Sequence, residues 1–240
     1  MQEGGDAGPN IALNTIMAEE LGKFADILEN ADNFDTALQK LVCDTFRQHQ
    51  RIIFNGNGYS QQWQEEAARR GLSNLPTTAK ALPAYVDPKN IALVTKHGIF
   101  TESEFRARHE IHLQAYSKIV RIEAKTMVDM SLHQILPAAL AYSSSLAESV
   151  LRKQQLGLAA ASDRDLAQRI SECCDALYEK TEQLAAHLRQ APAGTEAAVA
   201  YYSDTIVADM AEVRKLADRL EKLTAKSYWP YPIYSDILYY

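Results

Sequence analysis

The sequence predicts an all-α fold, a helical bundle built on long antiparallel helices. Three observations predict it. Apolar residues return at spacings of three and four over long stretches, short breakers rich in Gly, Pro and Asn separate those stretches, and strand-like alternation of apolar and polar residues is not seen. At 240 residues the chain can bury a core without disulfides or metals to staple it.

The opening MQEGGDAGPN is rich in Gly and carries a proline, so residues 1–9 read as a linker into the first helix. That helix is expected from Ile11 to Leu28, with Asn10 as its cap and Leu13, Ile16, Met17, Leu21, Phe24 and Ile27 at helical spacing. A second runs from Phe34 to about His49, entered through Asn33 and Asp35. After the irregular RIIFNGNGYS, Ser60 opens a short helix that Gly71 stops. Two more short helices are expected at Thr78–Val86 and Pro88–His97, completing a helical segment over residues 10–100.

Residues 101–240 read as the long-helix bundle. Thr101 and Glu104 form a capping-box pair, and apolar positions continue at helical period past Pro137 toward Lys153. Unbroken, such a helix would span on the order of 80 Å, with a kink expected at Pro137. One further stripe holds Leu166, Ile170, Cys173, Leu177, Leu184 and Leu188, another Val199, Tyr202, Ile206, Met210, Val213, Leu216, Leu220 and Leu223; the breaker QAPAG makes them antiparallel neighbours. The chain closes on the aromatic tail SYWPYPIYSDILYY. Its rings are costly to leave in water, so Trp229, Tyr231, Tyr234, Tyr239 and Tyr240 are expected to dock on their own bundle or on a neighbouring subunit.

The formal charge of −6 is spread along the chain, which argues against a nucleic-acid surface; the local basic cluster Arg106, Arg108, His109 reads as a solvated helix face. No apolar run approaches membrane-spanning length. Three cysteines without C-x-x-C spacing, Cys43, Cys173 and Cys174, fit ordinary buried thiols in a reducing, cytoplasmic compartment.

Catalytic motifs are absent. His109 and His112 stand three apart, not the four a zinc-protease helix requires, and Asp129 and His133 lack a visible third ligand, so no metal site is assigned. No Glu-x-x-His pair, P-loop, G-x-S-x-G or dinucleotide fingerprint occurs. The remaining feature is Asn55, Gly56, Asn57, Gly58, Tyr59. Residues tolerant of positive φ could turn backbone N–H groups toward an anion, or the stretch is a tight structural turn.

Several long motifs occur in order: AGPNIALNTIMAE, IIFNGNGYS followed by QQW, EAARRGLSNLPTT, KHGIFTESEFRARHEIHLQAY, IEAKTMVDM followed by LPA, and WPYPIYSDILYY. Together they resemble the C-terminal region of the type III glutamine synthetases, from about Ala7 to Tyr240. The resemblance implies a parent ligase that makes glutamine from glutamate, ammonia and ATP, with Mg or Mn. In that family AGPN-x-x-LNT follows the strands bearing the last catalytic arginine and glutamate. The resemblance therefore implies an upstream catalytic domain, and no catalytic residue is carried onto this sequence.

Its expected partners are the remainder of the subunit and neighbouring subunits of a homo-oligomer, and the chain alone is expected to be inactive and to need no cofactor of its own. A different reading is a free-standing helical scaffold derived from that family. A third is a small metal- or anion-binding enzyme assembled from His109, His112, Asp129, His133 or the Asn-Gly stretch.

Overall fold

The computed structural model describes residues 7–238, with side chains at 8–233 and 236–238. These form helices, with no strand among the described residues. The chain divides into two compact units, one ending at Glu110 and one beginning at Ile111.

In the first unit, α1 (Ala7–Glu29) packs on α2 (Phe34–Gln48) and on α5 (Pro88–Lys96). Helix α1 starts at Ala7, not beyond an Asn10 cap. Pro9 falls in the first turn, where a missing N–H costs nothing, so residues 7–9 of the expected linker and Asn10 are helical, while residues 1–6 lie outside the described residues. Asn33 caps α2 by accepting from the Thr36 N–H at 3.0 Å. After a 3₁₀ turn at Gln50–Ile52 come α3 (Gln61–Arg69), capped by Ser60, and α4 (Thr78–Tyr85), capped by Thr77. Gly71 (φ +70°) and Gly98 (φ +63°) end α3 and α5 in the left-handed region that disfavours a side chain. Ile91, Val94 and Phe105 form a small core, with the Tyr85 ring stacked 4.3 Å from Phe105.

Glu19 ties α1 to the end of α5. It accepts from Lys96 Nζ at 2.9 Å and from His97 Nε2 at 2.8 Å. The Lys96 hydrogen bond, then that of His97, holds the Glu19 carboxyl down to about 2. Because this lies below the ordinary 4.5, the carboxylate adds stability above pH 4.5 and loses it as the pH falls through 2. Glu19→Gln is expected to be less stable than the parent chain at pH 7 and to have lost most of that deficit at pH 2. Urea unfolding at both pH values checks this; an equal deficit at both would refute it.

Helix α6 (Glu102–Met130) begins with the reciprocal pair the sequence shows: Thr101 N–H donates to Glu104 Oε2 at 2.8 Å, and Glu104 N–H to Thr101 Oγ1 at 3.3 Å. The unit boundary falls within this helix. Ahead of Pro137 the chain does not simply bend. Residues Ser131–Ile135 widen into a π-helical turn, in which Leu136 N–H donates to Ser131 O, before α7 (Leu136–Gln155) resumes. The extra residue per turn relieves the clash that proline imposes on the preceding turn.

In the second unit Gly157 (φ +70°) closes α7, and Leu158 N–H donates to Lys153 O at 2.9 Å. Lys153 pairs with Asp163 of α8 (Ala161–Arg189) across that turn. Helix α8 packs on α7 and on α10 (Val207–Leu223). It supplies Ile170, Cys173, Cys174, Leu177 and Leu184 to a core shared with Tyr202, Ile206, Val213 and Leu220. Thr181, also buried there, donates its hydroxyl to Leu177 O at 2.7 Å. A second π turn, Tyr202–Ile206, joins α9 (Thr195–Tyr201) to α10. His187 Nδ1 stands 2.5 Å from Asp209 Oδ2, and Tyr201 donates its hydroxyl to His187 O at 3.0 Å, pinning α8 to the α9–α10 rod. No helix among the described residues is long and apolar enough to cross a membrane.

Candidate functional site

The Asn-Gly stretch takes its shape from packing. No residue from Asn55 to Tyr59 has positive φ, so left-handed conformations are not what it uses. Gly56 is needed for a different reason: a Cβ there would lie 2.6 Å from Cζ of Phe54. The Phe54 ring is held in place, stacked 4.2 Å from Trp63, while Arg70 covers the other part of the group at 5.6 Å from the Trp63 ring. Arg70 also donates to Ile53 O at 2.7 Å and to Glu66 at 2.6 Å. Asn57 Oδ1 accepts from the Tyr59 N–H at 3.0 Å, and Ser60 Oγ donates to Asn57 O at 2.8 Å. Two polar groups of the stretch are thus turned on one another, while Tyr59 is almost fully exposed at 98%.

Gly56→Ala is expected to displace the Phe54 ring and cost about 1–3 kcal/mol, read as a lower urea midpoint with a changed Trp63 near-ultraviolet signal. An unchanged midpoint would refute it.

The described part of the aromatic tail is folded onto the second unit. Trp229 and Tyr231 pack against its core, Tyr231 donates its hydroxyl to Gln134, and Tyr228 lies 5.1 Å from Tyr142. The short helix α11 (Tyr234–Leu238) is tied back by Asp236, which pairs with Lys226 and accepts from the Ile233 N–H at 3.2 Å. The Lys226 hydrogen bond leads the groups that hold the Asp236 carboxyl below the usual range. Of the tail residues singled out above, Tyr239, Tyr240 and the side chain of Tyr234 lie outside the described residues. Beside the tail is an apolar groove of ≈ 640 Å³, with Met127, Met130, Met210, Trp229 and Tyr231 in its wall.

The histidines do not assemble a metal site. His133 pairs with Asp129 of its own helix at 3.0 Å, with both side chains largely exposed. His109 stacks 6.3 Å from Tyr85, and its Nε2 is buried without a hydrogen-bond partner. Among the described residues no three His, Cys, Asp or Glu side chains converge closely enough to hold an ion. The donor set therefore does not fit the divalent ions the resemblance implies for the parent. Of the basic cluster at the start of α6, Arg106 pairs with Glu102 at 2.8 Å and Arg108 lies 4.6 Å from the Phe100 ring centre. Of the three cysteines expected to be buried, Cys43 on α2 is instead exposed; Cys173 and Cys174 are buried, and burial pushes the Cys174 thiol up to about 11, the reverse of an activated nucleophile.

One feature went unread in the sequence. Lys118, Arg121 and Lys125 share a face of α6, and with Arg189 from the end of α8 they line a groove of ≈ 900 Å³ in the second unit. The helical spacing of the first three was legible, but Arg189 lies 64 residues beyond Lys125 and only the fold brings it to them.

Comparison with known proteins adds the family. The glutamine synthetase C-terminal domain matches residues 37–154. The chain belongs to the glutamine synthetase family, at its C-terminal part. A glutamine synthetase of Butyrivibrio fibrisolvens is 34% identical over 214 residues, which cover 88% of this chain and 31% of that protein. A type-3 glutamine synthetase of Dictyostelium discoideum is 35% identical over 242 residues, 96% of this chain and 33% of that protein. A third, from Bacteroides fragilis (strain YCH46), is 28% identical over 249 residues. Within the family the chain corresponds to the C-terminal region of the type III form, and it spans about a third of the length of these relatives.

Proposed function

We propose that this chain serves as the packing and assembly part of a type III glutamine synthetase, whose whole subunit makes glutamine from glutamate, ammonia and ATP. The observation that carries this is the apolar face left open on the first two helices. Leu13, Met17 and Leu21 on α1, and Phe34, Val42 and Phe46 on α2, are between 46% and 62% exposed. A patch of that kind on a stable domain marks a surface that another folded part covers. The relatives, about three times as long, provide a second part of suitable size.

On this reading the partners are the remainder of the subunit and neighbouring subunits of a homo-oligomer, in the cytoplasm, where the free thiols Cys43, Cys173 and Cys174 would persist. ATP and Mg or Mn belong to the upstream part. The chain purified alone, given glutamate, ammonia, ATP and either metal, is expected to form no glutamine. Glutamine formed above the rate of a blank would overturn this reading.

A further inference from the structure

We propose that the groove walled by α6, α8 and the connection from α8 to α9 binds an organic phosphate of nucleotide size. This goes beyond the packing role, and it rests on the gathering of four cations without an ion-pair partner in one groove; among the described residues Arg164, Lys215, Arg219 and Lys222 of the second unit also lack such a partner but do not line it. Arg152 pairs with Glu148, Arg169 with Asp165, and Arg214 with Asp218, each one helical turn along its own helix. Lys118, Arg121, Lys125 and Arg189 have no such partner: among the described residues no carboxylate lies within ion-pair distance of any of them. No acidic side chain lines the groove.

Three of these cations repeat at i, i+3 and i+7, and like charges at that spacing repel along a helix. An anion laid across them would remove the repulsion.

The chemistry of the wall narrows the ligand. Two guanidinium groups offer paired donors that match phosphate oxygens, and two ammonium groups add charge. Val128, Leu188, Ala191 and Pro192 add apolar wall against which a flat or apolar moiety can lie. Ser117, also in the wall, has a buried hydroxyl without a hydrogen-bond partner. A volume of ≈ 900 Å³ is that of a small-molecule site. Four cations in one groove of a chain with net charge −6 make too small a basic surface for a nucleic-acid strand, but they match the charge of a nucleoside triphosphate.

The test is calorimetric titration of the purified chain, without divalent ions and at about physiological ionic strength, with ATP, tripolyphosphate, inorganic phosphate and adenosine. ATP is expected to bind saturably at one per chain, with tripolyphosphate, phosphate and adenosine each at least tenfold weaker. Two independent double variants, R121A/K125A and K118A/R189A, should each weaken ATP binding by about tenfold or more. All four positions except Arg189 lie on one helix surface away from the core, so unchanged circular dichroism identifies variants that still fold.

Lys222→Ala, an exposed lysine of α10 that does not line the groove, should leave ATP binding unchanged. No saturable ATP binding, or binding that both double variants retain, would overturn the site. Tripolyphosphate or phosphate binding as tightly as ATP would overturn the organic-phosphate assignment.

Discussion

Truncation of Leu177 to alanine is expected to lower the unfolding free energy by about 2–5 kcal/mol, the largest effect of any single side chain considered. Leu177 has no exposed surface and sits at the middle of α8, the helix that packs on both α7 and α10. Its neighbours along the buried stripe, Cys173, Cys174, Thr181 and Leu184, are equally enclosed, so the side chains around the vacancy have little room to collapse into it. The comparison that isolates burial is one residue away. Tyr178 is a larger side chain on the same helix but is 56% exposed, and Tyr178→Ala should cost within about 0.5 kcal/mol. Urea unfolding of the two variants decides the matter: similar losses would mean that the α8 stripe does not organise the core of this unit.

The helices of the second unit were legible in the sequence because their apolar residues repeat over many turns. Of the stripe from Leu166 to Leu188 and that from Val199 to Leu223, most members are buried in the fold, while Leu166, Leu188, Met210, Leu216 and Leu223 pack against the core half-buried. Capping chemistry at Asn33, Ser60 and Thr101 was legible too, since those side chains act on backbone only three residues away. The start of α1 was misplaced because Pro9 suits both a linker and a first helical turn, and local sequence does not separate them.

The π turn at Ser131–Ile135 was announced only as a disturbance at Pro137, and that at Tyr202–Ile206 has no signal in composition at all. The Asn-Gly stretch stayed open between an anion cradle and a structural turn for a related reason. Its glycine answers to the Phe54 ring, whose position depends on Trp63 nine residues away and on Arg70 beyond it. The cationic groove needed the fold outright, because periodicity within α6 says nothing about where Arg189 ends.

Replacing Leu13, Met17 and Leu21 together by glutamine is expected to leave the stability of this chain nearly unchanged while weakening association through the α1–α2 face roughly a hundredfold. The two halves of that statement come from the same measurement. Side chains 62%, 58% and 57% exposed have little burial to lose within the chain, so each substitution should cost within about 0.5 kcal/mol. On a partner the same three side chains would lose their remaining contact with water, at about 1 kcal/mol each, and about 3 kcal/mol in total corresponds to roughly two powers of ten in affinity. Their spacing of four residues places them on one ridge of α1, and Phe34, Leu38, Val42 and Phe46 repeat the same spacing on α2. Two ridges of this kind on packed helices offer an apolar surface whose own chain does not cover it. The purified chain should therefore associate as its concentration rises, and the triple variant should sediment as a 26.8 kDa monomer under the same conditions. If the parent chain is also a monomer at every concentration, the face has no affinity for apolar surface and the assembly role loses its support. If the triple variant unfolds at a much lower urea concentration, these side chains serve the fold of the chain itself, and the surface that joins it to the rest of a synthetase must be sought elsewhere.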